Sequence, residues 1–157
     1  HAIEHVPDPQ RAVAEMARAV RPGGTVVFVT PNRLTFGRAD EVIDPYHYIE
    51  FDSDQLAALC APYFPKVESY GVFGSARYAD YWEGERRKMN TTLRVDPLRL
   101  RRFIPRRGRQ VLYDWALSKA RRPGDSPAAA FTIDDFVLRA DNLAAAHDVV
   151  AVCTSAG

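Results

Sequence analysis

Arg21-Pro-Gly-Gly-Thr-Val-Val-Phe-Val-Thr-Pro-Asn32 is the stretch on which the fold turns. Gly23-Gly24 is a helix stop, since glycine takes the left-handed backbone that caps a helix without steric cost. Thr25 to Thr30 is an unbroken β-branched and aromatic run. A run with no polar alternation suits a strand covered on both faces, as in a parallel sheet. Pro31-Asn32 ends it as a turn. Upstream, Asp8-Pro9 opens a helix, with Asp as N-cap and Pro at a position whose N–H has no intrahelical partner. Ala12, Val13, Met16, Ala17 and Val20 then recur at helical spacing. The order is therefore helix, glycine stop, buried strand, turn.

Downstream, residues 33–50 read as a loop. Asp52 caps a second helix, and Gln55 stands three residues on, in capping-box position. Leu56, Leu59, Cys60 and Tyr63 supply its apolar face, and Pro65 forbids continuation. Val67 to Phe73 reads as the next strand, weakened by Gly71. Residues 76–122 are rich in Arg, aromatics and helix formers and read as helices of an insertion. Pro123 to Ala130 is a linker, and 131–138 a short helix or extended segment. Asp148 to Cys153 is a last buried strand. The layout is α/β, with 1–75 and 131–157 as sheet core and 76–130 as helical insertion, lid and linker.

Net charge is +1, but unevenly distributed. Residues 94–122 hold ten Arg or Lys against Asp96 and Asp114, a net +8 that leaves the remainder at −7. Such asymmetry marks a surface of its own. A solvated helix face is the plainest account. A lid presenting cations to an anionic or lipid-linked acceptor comes second, and nucleic-acid contact is the weakest. Hydrophobic residues at 46% and charged residues at 26% are ordinary for a globular domain. No apolar run approaches the ~18 residues of a membrane-spanning helix. Cys60 and Cys153 lie far apart in apolar surroundings, which predicts two reduced, buried thiols and a cytoplasmic protein.

Several pieces in their joint order resemble the class I S-adenosylmethionine (SAM)-dependent methyltransferases of the small-molecule, type 11-like group. They are Glu4-His5-Val6-Pro7-Asp8-Pro9, Arg21-Pro22-Gly23-Gly24, the strand ending Thr30-Pro31-Asn32, and Pro45-Tyr46-His47-Tyr48-Ile49-Glu50-Phe51. The resemblance implies the C-terminal half of that fold: a partial Rossmann-like doubly wound sheet, strands 4–7, with the basic helical insertion between the last two. It implies SAM as cofactor and methyl transfer to a small-molecule acceptor, most simply at oxygen. The chain departs from the family in one respect. The family's E/D-x-G-x-G-x-G turn, which lets backbone approach the cofactor, has no counterpart, since Gly23 and Gly24 end a helix. No cofactor-binding residue is therefore assigned. The alternative expectation is an inactive truncated fragment or regulatory half-domain, with self-association through an exposed sheet edge.

Within that frame His5 is the candidate catalytic base, because an imidazole titrates near neutral pH. Glu4, Asn32, Arg33 and His47 are candidate acceptor-binding residues; for Glu4 and His47 a structural task is the competing account. For Asn32 the competing account is a plain turn residue. His1-x-x-Glu4-His5 also spells a zinc-protease pattern, but that chemistry needs a helix carrying both histidines, and Pro7 with the Asp8-Pro9 cap forbids one. No metal is expected.

Overall fold

The computed structural model describes residues 1–36, 44, 46–94, 105, 108, 110–111 and 130–157. Two compact units divide the chain, one comprising His1–Phe73 with Val137–Gly157 and the other Gly74–Phe136. The basic run at 94–122, with its expected lid, falls largely outside the described residues.

In the first unit, α1 (Pro9–Ala19) starts where the cap predicts, with Asp8 Oδ1 accepting from the Arg11 N–H at 3.0 Å. Val13 is fully buried, but Met16 on the same stripe stays 53% exposed. The apolar stripe is thus wider than the surface that covers it. The helix ends before the glycines: Val20 caps it in extended backbone, its N–H donating to the Met16 carbonyl at 3.0 Å, and Gly23 at φ +67° shapes the turn beyond, its N–H donating to the Ala156 carbonyl at 2.9 Å. Strand β1 (Thr25–Pro31) follows, then the single-turn helix α2 (Arg33–Phe36). Helix α3 (Ser53–Cys60) carries the complete capping box: Gln55 N–H donates to Asp52 Oδ1 at 2.9 Å, and Asp52 N–H donates to Gln55 Oε1 at 3.2 Å. It ends at Cys60, so helical period no longer governs Tyr63, and Phe64 is buried in its place.

Strand β2 (Lys66–Gly74) follows α3, and the long helix α4 (Ala76–Arg94) comes next. The chain returns through a 3-10 turn at Ile133–Asp135 into β3 (Phe136–Arg139). A second such turn at Leu143–Ala145 leads into β4 (Asp148–Thr154). The sheet order is β1-β4-β2-β3.

Here the expectation of parallel neighbours for Thr25–Thr30 is corrected. β1 pairs antiparallel with β4, Phe28 opposite Ala151, and β2 pairs antiparallel with the other edge of β4, Ser69 opposite Ala151. Because both flank β4 in the opposite sense, β1 and β2 run in the same direction. The last strand of the chain inserts between them. Nor is β1 covered on both faces throughout: Phe28, Thr30 and Pro31 are buried, but Thr25 and Val27 are exposed. An unbroken apolar run does not report the direction of the neighbouring strand, which is set by how the chain returns.

Val149, Ala151 and Cys153 alternate along β4 on one face and join Ile3, Val13, Phe28, Phe51, Leu56, Cys60 and Phe64 in a single core. A fully buried leucine such as Leu56 contributes on the order of 2 kcal/mol through burial. Gly71 on β2 is required by proximity: a Cβ there would sit 2.5 Å from the Ala146 Cβ.

Candidate functional site

The chain enters on a 3-10 turn, Ile3–His5, closed by the His5 N–H donating to the Ala2 carbonyl at 3.0 Å. Pro7 and the Asp8 cap prevent this turn from growing into a helix. Its middle residue, Glu4, is buried to 1% exposure. The Glu4 carbonyl accepts from the Tyr48 N–H at 2.8 Å, which ties the opening turn to the loop that follows β1. The carboxyl end of β1, the opening turn and that loop thus meet.

Histidine and carboxylate groups converge there. His1 lies between two acids, Nδ1 3.3 Å from Glu4 Oε1 and Nε2 3.5 Å from Asp148 Oδ2. Asp148 first and Glu4 second hold its imidazole in the charged form, raising its pKa to about 10 against a smaller opposing effect of burial. For the Glu4 carboxyl burial acts upward, but His1 and the local backbone outweigh it, and the net displacement is downward. His5 is half exposed, with Nε2 3.8 Å from Glu4 Oε1 and Nδ1 3.3 Å from the Tyr46 carbonyl.

His47 lies beneath. Its ring stands edge-on to that of His5, centroids 4.9 Å apart, and packs at 5.5 Å against Phe36. Its Nδ1 is 3.0 Å from Glu50 Oε1 in a buried pair, and its Nε2 is 3.9 Å from Asp44 Oδ2. Burial works against the charged imidazole, yet Glu50 and Asp44 prevail and raise its pKa. With Glu50 at Nδ1 and Asp44 near Nε2, the acids favour the charged ring, so Nε2 is available to a base or ligand role only when it gives up its proton.

The sequence-predicted residues separate into two groups. Glu4, His5 and His47 come together. Asn32 and Arg33 stand at the same strand end but are engaged elsewhere. The Asn32 side chain is fully buried: its amide donates to the carbonyls of Leu143 (3.0 Å) and Ala146 (2.9 Å), while its Oδ1 accepts from the Leu34 N–H at 3.1 Å. It locks the turn after β1 to the turn before β4. The Arg33 guanidinium lies 3.9 Å from Asp52, and its N–H donates to the Phe51 carbonyl. Glu50, which the spacing from His47 marks as a possible pocket residue, belongs to the cluster too, and Asp44, His1 and Asp148 join it without having been singled out as site residues by the sequence. The His47-x-x-Glu50 spacing is a usable signal for Glu50. Nothing local links Asp148 to His1, 147 positions earlier.

His1, Glu4 and His5 of the site lie within the segment that a known family shares with this chain. The profile of the family described as "Methyltransferase domain" matches residues 1–28. A probable S-adenosylmethionine-dependent methyltransferase of Mycobacterium tuberculosis (strain H37Rv) is 41% identical over 81 residues, 50% of this chain and 29% of its own length. One from Mycolicibacterium smegmatis is 40% identical over 81 residues, 50% of this chain and 31% of its own. Over these segments the chain is similar to SAM-dependent methyltransferases. The family and these relatives imply SAM as the cofactor. The match spans under a third of the curated relatives' length. No solved structure matches. Among the described residues, no helix is long and apolar enough to cross a membrane.

Proposed function

We propose that this chain forms the acceptor side of a SAM-dependent O-methyltransferase acting on a small hydroxylated molecule, within a partial Rossmann-like sheet. One observation carries the proposal: a half-exposed imidazole, His5, sits 3.8 Å from a fully buried carboxylate, Glu4, at the carboxyl end of β1. In α/β sheets ligands collect outside the strands' carboxyl ends. The glycine pair of this chain, Gly23-Gly24, lies in the turn between α1 and β1 and is not the cofactor's glycine turn. SAM supplies an electrophilic methyl group when bound, and the side chains of the His5 cluster act on the acceptor.

His5 takes the acceptor's hydroxyl proton at Nε2. Its Nδ1, held by the Tyr46 carbonyl, fixes the ring, and Glu4, which also faces His1, lies 3.8 Å from the imidazolium that results. His47, oriented by Glu50, forms the floor beneath His5. Asn32 and Arg33 shape the rim through backbone and turn geometry. The acceptor is a small molecule, and an anionic or lipid-linked one would suit the basic run at 94–122.

The test is methyl transfer from SAM by the full-length gene product. His5→Gln is expected to lower kcat by about 10²-fold or more while leaving KM for SAM within a few-fold, the usual weight of a general base. A second reading is an inactive partial domain. Calorimetry separates the two: SAM binding to the N-terminally extended protein supports the enzyme. Absence of binding to the extended protein and to this chain alike supports the inactive domain.

A further inference from the structure

We infer that Glu4, His5 and His47 form a binding site for one divalent first-row transition-metal ion. One ligand atom from each of the three lies within 4.8 Å of those of the other two. Metal–ligand bonds of about 2.0–2.2 Å place ligand atoms roughly 3.5 Å apart in a tetrahedron. The Glu4–His5 separation of 3.8 Å is already close to that, and the His47 ligand atom lies within 4.8 Å of both.

The second observation is the state of Glu4. Its side chain is 1% exposed, and among the described residues neither carboxylate oxygen has a hydrogen-bond partner. A buried carboxylate without directed donors is costly unless a cation meets it. The charged His1 ring, 3.3 Å from Oε1, is the cation that meets this carboxylate in the structure, and a metal ion would bind by taking its place. A metal ion would satisfy that oxygen directly.

The third is how the imidazoles are held. A metal-bound histidine characteristically gives its other ring nitrogen to a carbonyl or carboxylate, which fixes tautomer and orientation. His5 does so with the Tyr46 carbonyl at 3.3 Å, and His47 with Glu50 Oε1 at 3.0 Å. Both rings keep Nε2 for a ligand bond, and Asp44 stands 3.9 Å from that of His47 as a further oxygen at the rim. Two imidazoles and one carboxylate favour zinc, cobalt, iron or nickel over magnesium or calcium, which prefer all-oxygen sites. The half-exposed His5 side leaves room for a water or an acceptor oxygen. The expectation of no metal rests on the lack of a helix through His1–His5. This site needs no helix, because its third ligand arrives from a loop 42 positions on.

Metal binding stands apart from methyl transfer and competes with it: the His5 nitrogen that binds metal is the one proposed to take the proton. The test is therefore direct binding. Metal-free 157-residue chain is titrated with Co²⁺, followed by the ion's visible absorption and by calorimetry, with Zn²⁺ as competitor. One saturable equivalent is expected, displaced by Zn²⁺. His5→Ala and His47→Gln should each weaken binding at least tenfold, and Glu50→Gln by about 10- to 100-fold through the lost orientation of His47. His1→Asn should leave binding intact or tighten it, since His1 competes for Glu4. Unchanged affinity in His5→Ala, with an unchanged thermal melt, overturns the inference. So does a loss confined to His1→Asn, which would mean an ion held at the chain's first residue. Should His47→Gln fail to fold, the exposed His5 variant decides alone.

Discussion

Asp135 shows what a single side chain settles in the second unit. Its carboxylate accepts from the Thr132 N–H at 3.0 Å, from the Ser75 hydroxyl at 2.8 Å and from the Arg77 guanidinium at 2.7 Å. Those contacts, the backbone one foremost, hold its pKa down to about 2. A depressed folded-state pKa contributes stability that is complete above the unfolded value near 3.8 and is lost as pH falls through about 2. The 3-10 turn at 133–135 should therefore loosen in that acid window. Asp135→Asn should show the loosened state already at pH 7, read by amide exchange at Thr132 and Ser75. Protection in the variant equal to that of the wild type would refute this. At the same scale, burial pushes the Cys60 thiol up to about 12, with Cys153 beside it adding to the effect. Both cysteines are fully buried. Alkylation by iodoacetamide at pH 8 should be slow in native protein and complete in denaturant, because only thiolate reacts and only exposed thiolate is reached. Rapid labelling of the native chain would contradict the packing of α3 on β4.

Among elements, α3 and β2 are the ones most open to reading from sequence. Asp52-x-x-Gln55 specifies a reciprocal cap, and both hydrogen bonds are present. Asp52→Ala should cost about 1 kcal/mol, measured as a lower urea midpoint with unchanged slope. Gly71 reads from sequence as a weakness in a strand. It is instead the point where β2 meets Ala146, at a spacing that excludes a methyl group. Gly71→Ala should therefore destabilise by roughly 1–3 kcal/mol, as overpacking does, although alanine is no worse a strand former than glycine. A neutral or stabilising result in the same urea titration would show that the Ala146 turn yields. The helices and strands are legible because caps, glycine stops and apolar periods are local signals. The direction of β1's neighbour is not, since an unbroken apolar run fits either sense of pairing. The candidate site is half legible. Glu4, His5 and His47 can be picked out by residue type, but Asp148 meets His1 only through the return of the last strand, and Asn32 proves to be a buried anchor through carbonyls more than 110 positions away.

For the molecule as a whole, the antiparallel insertion of β4 between β1 and β2 has a consequence at the sheet's margin. β1 is outermost on one side of the sheet order, and β4 occupies its inner edge from Thr25 to Pro31. Among the described residues no strand pairs with its outer edge, and Val27 on it is 54% exposed. A long edge strand without charge is a template for pairing with another chain. Thr25 to Pro31 contains no charged residue, and Met16 adds exposed apolar surface on the preceding helix. The isolated 157-residue chain should therefore associate with itself as concentration rises, seen as a rising weight-average mass in sedimentation. Val27→Lys should shift it toward monomer, because an edge lysine would have to be desolvated for two such strands to pair. The substitution should leave the melting temperature within a few degrees, since a half-exposed valine contributes little burial. A monomer at every concentration in the wild-type chain would mean that this edge is already protected, and the self-pairing account of β1 would fall with it.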